Sequence, residues 1–425
     1  MLHIEDEKVK QHILDGHFGL EKESLRVLDN GKFAHTPHPF PEDAHIVKDF
    51  CENQTEINTG VHDSIRDAVE ELRFHSCRIQ KRLQELPQRE YLWMFSNPPY
   101  IENERDIPVA LFEGEHVSKT AYRDYLSDKY GRYRMTFSGI HVNFSFSEAL
   151  LQADFQLQEM EDYTEYKNRL YLNLAKGMAA YGWILVAVTA ASPLLDSSFV
   201  EKGVYDRDVF TGMGSVRCSE MGYWNEFAPV FDYESIDAYT DSIQKYVDTG
   251  LLKAASELYF PIRLKPRGEN HLHALRKHGV DHIELRMFDL NPLVEAGVEE
   301  KDIQFAQLLM VWLVATGDQT FHRKDQIQAV QNFKNAARYD LKTVRIQAPD
   351  GGIVSLAKAA VRVIEMMQKF YEKLGIPVQD VLEFQGAKFM DAENRYAWRI
   401  REQFRESYVK KALRLAKERQ EEANV

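Results

Sequence analysis

Two glutamates, Glu21 and Glu23, stand one residue apart in the run Phe18-Gly-Leu-Glu-Lys-Glu-Ser-Leu-Arg-Val27. On an extended chain they share a face. Carboxylates held that close repel one another unless a cation lies between them. The pair is either a solvated strand face or part of a metal site. The flanking Phe18, Leu20, Leu25 and Val27 suit a mostly buried strand, which favours the metal. A second acidic run, Asp49-Phe-Cys-Glu-Asn-Gln-Thr-Glu56, has two readings. In a helix Asp49, Glu52 or Asn53, and Glu56 form one stripe, which in the plainest case is ordinary surface acid. In a strand Asp49 and Glu56 point to opposite faces unless the chain bends. His141 sits with Asn143 and Ser145 on the polar side of Ser138-Gly-Ile-His-Val-Asn-Phe-Ser-Phe146, either as a metal ligand or as a hydrogen-bonded structural histidine. Glu284 and Arg286 share a face of His282-Ile-Glu-Leu-Arg-Met-Phe288. They are a simple ion pair, or one binds a cation while the other meets phosphoryl charge.

Together Glu21, Glu23, Asp49, Glu56 and Glu284 offer five carboxylates and no cysteine ligand, a set that suits Mg²⁺ or Mn²⁺ better than zinc. The basic candidates are Arg123, Arg217, Arg263, Lys265 and Arg286. Acids for metal and bases for phosphate describe phosphoryl transfer. Phosphate loops do not support it. The run Gly114 to Thr120 lacks the second glycine of a Walker A loop, and Gly212-Met-Gly214 is followed by Arg217 where a dinucleotide fingerprint needs glycine. Any ATP is therefore held by metals and by side chains on a sheet.

The elements that must position these groups alternate without a regular βαβ rhythm. Ser64 and Asp67 resemble a capping box, with Asp in place of the usual Glu, ahead of Ala68, Leu72, Ile79 and Leu83 at helical spacing. Further helices are expected over 166–191 (ending before Pro193), from Ser235 to Gly250, over 299–316, over 355–374, and as one charged tail helix from about Asn394 with an Ile400, Phe404, Tyr408 stripe. Three strands have one apolar and one polar side. The expected class is α+β, with an antiparallel or mixed sheet covered by helices on one face and open and polar on the other. No linker is visible, so residues 1–425 read as one catalytic domain with a core at about 18–317 and a helical C-terminal part at about 318–425.

Composition narrows the class. Lys and Arg total 53 against 66 Asp and Glu, a net charge of -13, which argues against a general nucleic-acid binder. Cys51, Cys77 and Cys218 are scattered and form no disulfide framework, as suits a reducing cytoplasm. The acidic N-terminus lacks the layout of a signal peptide. The longest apolar stretch, 182–195, is too short for a membrane span and reads as a buried helix.

Eight segments in order resemble bacterial glutamate–cysteine ligases (γ-glutamylcysteine synthetases) of the glutamine-synthetase-like fold. They are the 18–27 and 49–56 runs, Tyr122-Arg123 with Tyr130-Gly131, Ser138 to Ser145, Ala191-Ser-Pro193 with Ser197-Ser-Phe199, Arg217-Cys-Ser-Glu-Met-Gly-Tyr223, Glu257-Leu-Tyr-Phe-Pro-Ile-Arg263, and Ile283 to Pro292. The resemblance implies a curved, mostly antiparallel sheet. It implies Mg²⁺ sites lined by Glu21, Glu23, Asp49, Glu56, His141 and Glu284. Arg286 is then set against the transferred phosphate, Arg263 and Lys265 near ATP, and Arg123 and Arg217 on amino-acid carboxylates. Tyr122, Tyr223 and Tyr259 surround the cysteine side chain, against the plain alternative of ordinary packing. Asp49 is a weak candidate for the base that receives the amine proton. The implied activity joins the γ-carboxylate of glutamate to the α-amine of cysteine through γ-glutamyl phosphate, the first step of glutathione biosynthesis; the alternative is a sibling ligase acting on another amine or amino acid. The implied partners are glutamate, cysteine and ATP, with no nucleic acid and no membrane; the oligomeric state is left open.

Cys51 and Met135 depart from the residues expected in relatives, a small one and a polar one. The last hundred or so residues resemble the family only loosely. A length of 425 is expected to leave no room for a fused ATP-grasp domain.

Overall fold

Alternating apolar residues build the strands that carry the polar groups. The computed structural model describes residues 2–423 apart from 115, 116, 203, 206, 318–320, 349 and 350. The described strands are β1 Gly16–Val27, β2 Ile46–Lys48, β3 Gln54–Asn58, β4 Tyr91–Leu92, β5 Gly139–Phe146, β6 Leu194–Asp196, β7 Asp208–Phe210, β8 Ile262–Lys265, β9 His282–Asp289, β10 Arg345–Gln347 and β11 Ile353–Ser355. Seven form one sheet in the order β2-β3-β1-β5-β9-β8, with β4 paired to β1. Every pairing in it is antiparallel. The expected α+β class with an antiparallel sheet is therefore what is observed.

Register brings the candidates together. Glu23 lies opposite Glu56 and Glu21 opposite His141. Asn143 and Arg263 both lie opposite Glu284 on β9. Between β5 and β9 the register slips at Ile140/Val142, so that β9 carries an extra residue in the stretch holding Arg286. The other face of the sheet is apolar. Phe18, Leu20, Ile57, Ile140, Val142, Phe144, Ile262, Ile283 and Leu285 are buried in the main core. The helices Tyr163–Tyr181, Trp183–Thr189 and Glu300–Thr316 contribute to the same core.

The helix expected from Ile65 is present over Ile65–Gln84, with the Ser64 hydroxyl accepting from the Asp67 N–H. Ile236–Asp248, Glu300–Thr316 and Leu356–Leu374 also match expectation, the last closed by Gly375 in the left-handed region at φ 69°. Three expectations need correction. The 166–191 helix is two helices joined at Gly182 and bent by 58°. A side chain at Gly182 would meet the Met178 carbonyl at 2.5 Å and the Phe333 ring at 3.0 Å, so the joint admits only glycine without rearrangement. The apolar 182–195 run is correspondingly helix only to Thr189, and its end forms β6. The tail is also two helices, Tyr396–Phe404 and Tyr408–Glu422, broken where Glu406 and Ser407 take positive φ. Its Ile400, Phe404 and Tyr408 stripe is nevertheless buried, against Phe95 and Trp93. Finally, the C-terminal part is not wholly helical, because β10 and β11 form a small ribbon. Of the Walker-like run, residues 117–120 open the helix Val117–Tyr130, while 115 and 116 lie outside the described residues. Among the described residues no single helix is long and apolar enough to cross a membrane.

Candidate active site

The acidic run 49–56 is neither helix nor straight strand. It is a tight hairpin: the Gln54 N–H donates to the Cys51 carbonyl at 2.9 Å, and the Asp49 N–H to the Gln54 carbonyl at 3.1 Å. The bend is the condition the sequence left open, and it brings Asp49 and Glu56 to one cavity. That cavity, of about 260 Å³, is lined by all fourteen residues singled out from the sequence: Glu21, Glu23, Asp49, Glu56, Tyr122, Arg123, His141, Arg217, Tyr223, Tyr259, Arg263, Lys265, Glu284 and Arg286.

Charge changes sign across the sheet. Glu56 on β3 and Glu21 and Glu23 on β1 supply acids at one side. Arg263 and Lys265 on β8 supply bases at the other, and β9 between them carries both Glu284 and Arg286. The His141 Nδ1–H donates to Glu21 Oε2 at 2.8 Å and lies 3.4 Å from Glu284 Oε1. Its Nε2 is 3.8 Å from Glu23 Oε1. The Asn143 amide donates to Glu21 Oε1 at 3.0 Å, and Arg286 Nη1 donates to Glu284 Oε1 at 2.5 Å. Glu284 is thus ion-paired, the first of its two sequence readings, and it also stands in the acid cluster. Its other oxygen is 3.3 Å from Lys265 Nζ but has no hydrogen-bond partner among the described residues.

The titration pattern follows from burial and neighbours. Burial, then the Asp49 charge, pushes the Glu23 carboxyl up to about 8. Burial, with the charges of Asp49, Glu21 and Glu23, lifts Glu56 well above the carboxylate range. Burial works against Glu284 too, but Arg286, Lys265 and Arg263 bring it well below its ordinary value. Burial also opposes the Glu21 carboxylate, and the His141 hydrogen bond and the charges of His141 and Lys265 together overcome it and leave the group lowered. His141 is lowered, by burial and then by Arg286, so its ring is neutral and keeps a lone pair. Glu23 and Glu56, the two acids that resist ionisation, stand where the cluster lacks positive charge. Ligand atoms of Glu21, His141 and Glu284 all lie within 4.8 Å of one another. This oxygen-rich set with one imidazole fits a hard divalent cation.

The bases are held from behind. Arg217 donates to the Arg286 carbonyl at 3.0 Å and the Phe288 carbonyl at 3.2 Å. Its guanidinium packs on Gly139, where a Cβ would fall 2.1 Å from Arg217 Cζ, so any side chain there would displace it. Arg123 donates to the Asp49 carbonyl at 2.7 Å and stacks on Phe112 at 4.5 Å. Arg263 Nη2 donates to the Ser256 carbonyl at 2.9 Å. The rings of Tyr223 and Tyr259 meet edge to face at 4.3 Å. Burial first, then the Tyr259 charge at Tyr223 and the Tyr122 charge at Tyr259, raises both phenols, so they stay neutral. Tyr122 accepts from the Ser256 hydroxyl at 3.3 Å.

The cavity has walls that the sequence reading missed: Phe50, Leu126, Phe137 and Ser256, together with Met135, noted before only as a departure. Leu126 stands four residues after Tyr122, so helical spacing alone places both on one side of the helix. Phe137 precedes the Ser138 strand and Ser256 precedes the Glu257 segment, so their neighbours in the chain were the available signal.

The family model for glutamate–cysteine ligase matches residues 1–251 and 227–336. The glutathione biosynthesis bifunctional protein GshAB of Listeria monocytogenes is 34% identical over 436 residues, covering 98% of this chain and 56% of the relative. Its namesake from Clostridium perfringens is 33% identical over 345 residues, covering 77% and 44%. The chain thus spans about half the length of these curated relatives. Among solved structures, a bifunctional glutathione synthetase from Pasteurella multocida superposes with a TM-score of 0.84 at 27% identity, over 99% of this chain and 54% of that one. A glutamate–cysteine ligase from Francisella tularensis in complex with AMP shares the fold, with a TM-score of 0.83 at 24% identity over 96% and 89%.

Proposed function

The chain belongs to the glutamate–cysteine ligase family, and on that premise we propose that it joins the γ-carboxylate of L-glutamate to the α-amine of L-cysteine at the expense of ATP. The observation that carries the reading is the single cavity with acids at one side and bases at the other, lined by every residue the motifs singled out. Residues 1–425 act as one catalytic unit in this reading.

A carboxylate is a poor acyl donor because oxide is a poor leaving group. A γ-carboxylate oxygen of glutamate attacks the terminal phosphorus of ATP, ADP leaves, and a mixed anhydride remains. The cysteine amine adds to its carbonyl carbon, the C–O bond to phosphate breaks, and the amine loses a proton. The products are the peptide, ADP and phosphate. Arg286 faces the phosphoryl group as it moves, and its fixed position saves reorganisation as charge shifts. Burial works against the Arg286 cation, but Glu284, Glu21 and Glu23 hold it charged, above its ordinary value. Arg263 and Lys265, on the basic side, hold phosphate oxygens of ATP. Arg123 and Arg217 hold substrate carboxylates, and Tyr122, Tyr223 and Tyr259 enclose the cysteine side chain. Glu21, Glu23, Asp49, Glu56, His141 and Glu284 would hold Mg²⁺ or Mn²⁺, which supplies positive charge where phosphate and carboxylate oxygens converge. Asp49 is the candidate to receive the amine proton.

Purified protein given ATP, Mg²⁺, glutamate and a panel of amines tests this. Phosphate release is fastest with cysteine; release no faster with cysteine than with other amines would contradict the substrate assignment and leave a γ-glutamyl ligase of other specificity.

A further inference from the structure

The helix Val117–Tyr130 covers one side of the cavity with Tyr122, Arg123 and Leu126, yet Leu126 is the only buried residue among its described positions. Around it the part-buried rings of Tyr122, Tyr125 and Tyr130 pack against the same apolar cluster. Beyond Arg123 and Tyr122, its polar ties converge on one carboxylate. Glu257 is fully buried. Its Oε1 accepts from Lys129 Nζ at 2.5 Å, from the Tyr130 hydroxyl at 2.7 Å and from the Tyr125 hydroxyl at 3.4 Å, all on that helix. Its Oε2 accepts from the Lys253 N–H at 2.5 Å. Asn225 closes the network: its amide donates to the Tyr130 hydroxyl at 3.0 Å and to the Glu257 carbonyl at 2.9 Å. Its oxygen accepts from the Tyr259 N–H at 2.7 Å.

The same segment is thus fastened in two directions. On either side of Glu257, the carbonyls of Ser256 and Leu258 accept from Arg263 Nη2 at 2.9 and 2.5 Å. Two residues beyond Glu257 stands Tyr259, packed on both Tyr223 and Tyr130. A buried carboxylate is stable only when its lone pairs are matched by donors. Here three of the four donors come from the covering helix, so the glutamate side chain ties that helix to the Tyr259 segment at a fixed distance.

We propose that Glu257 is a positioning residue which, with Lys129 and Asn225, clamps the Val117–Tyr130 helix to the Tyr259 segment and so sets the width of the pocket for the amine substrate's side chain. This rests on reading Tyr122, Tyr223 and Tyr259 as that pocket. Glu257 does not itself touch substrate; it acts through Tyr122 on the helix and Tyr259 on the loop. Its effect should therefore fall on amine recognition more than on phosphoryl transfer.

The test uses the full chain in three variants: Glu257→Gln, Lys129→Met and Lys129→Arg. Hydrogen exchange of amides 117–130 is followed beside steady-state kinetics with ATP, glutamate and cysteine. Glu257→Gln and Lys129→Met should each speed exchange in 117–130 by about fivefold or more, while β5 and β9 stay protected. They should raise KM for cysteine by about fivefold or more, with kcat within about threefold and KM for ATP within about twofold. Lys129→Arg should restore both readouts. Unchanged exchange in Lys129→Met, or KM values that rise equally for all three substrates, would overturn the proposal. So would faster exchange throughout the chain, which marks a merely structural role. If the unaltered protein made no peptide from glutamate and cysteine, the functional reading would fall, while the exchange arm would still decide whether Glu257 holds the helix.

Discussion

Replacing Glu23 by glutamine removes one titratable group from the acid cluster and keeps an oxygen for the Gly139 N–H, from which Glu23 Oε2 accepts at 3.0 Å. Burial, then the Asp49 charge, moves this carboxyl from 4.5 up to about 8 on folding. Between those values the folded chain holds a proton that the unfolded chain has lost. The stability linked to this group is complete below about pH 4.5 and disappears as pH rises toward about 8. At about 1.4 kcal/mol per unit, the loss between pH 5.5 and 7.5 is on the order of 2 to 3 kcal/mol. For a chain of 425 residues that is about 3 °C in Tm. The assay is thermal unfolding in EDTA at both pH values, for the parent and for Glu23→Gln. The parent should lose about 3 °C more than the variant over this window. At pH 7.5, Mg²⁺ competes with the proton, so it should raise the parent's Tm and move the variant much less. If the two proteins changed in parallel with pH in EDTA, Glu23 would not be a buried acid awaiting a cation, and the reasoning for the cluster would fail.

Glu284→Gln or Arg286→Ala should lower turnover by about a hundredfold or more, as loss of a preorganised charge does, with phosphate release as the readout and Tm as the control for folding. An effect confined to stability would contradict their placement. Tyr259→Ala should raise KM for cysteine and leave that for glutamate nearly unchanged, which steady-state kinetics with each substrate varied in turn would reveal. Gly139→Ala places a methyl group 2.1 Å from Arg217 Cζ. It should cost about 2 kcal/mol in urea unfolding and weaken amino-acid binding by displacing that guanidinium.

The sheet face was legible because strand alternation is local: His141 beside Asn143, and Glu284 beside Arg286, follow from period two alone. The neighbours across strands were not. Pairing Glu23 with Glu56 depends on the hairpin at 51–54, and no local preference in Asp49-Phe-Cys-Glu-Asn announces that bend. The helix breaks at Gly182 and at 405–407 were hidden for the same kind of reason, since the apolar stripe runs on across both while tertiary contacts redirect the chain. Glu257 shows the other limit. It stood inside a recognised motif, but its meaning lies in donors from a helix more than a hundred residues earlier, Lys129 and Tyr130.

The most direct measurement follows oxygen. Glutamate carrying ¹⁸O in its γ-carboxylate is supplied with ATP, Mg²⁺ and cysteine, and both the peptide and the released phosphate are weighed by mass spectrometry. Formation of γ-glutamyl phosphate requires one labelled oxygen to pass from glutamate to phosphate for each γ-glutamylcysteine made, and that is the predicted result. Unlabelled phosphate, or ATP consumed without peptide, would contradict the account.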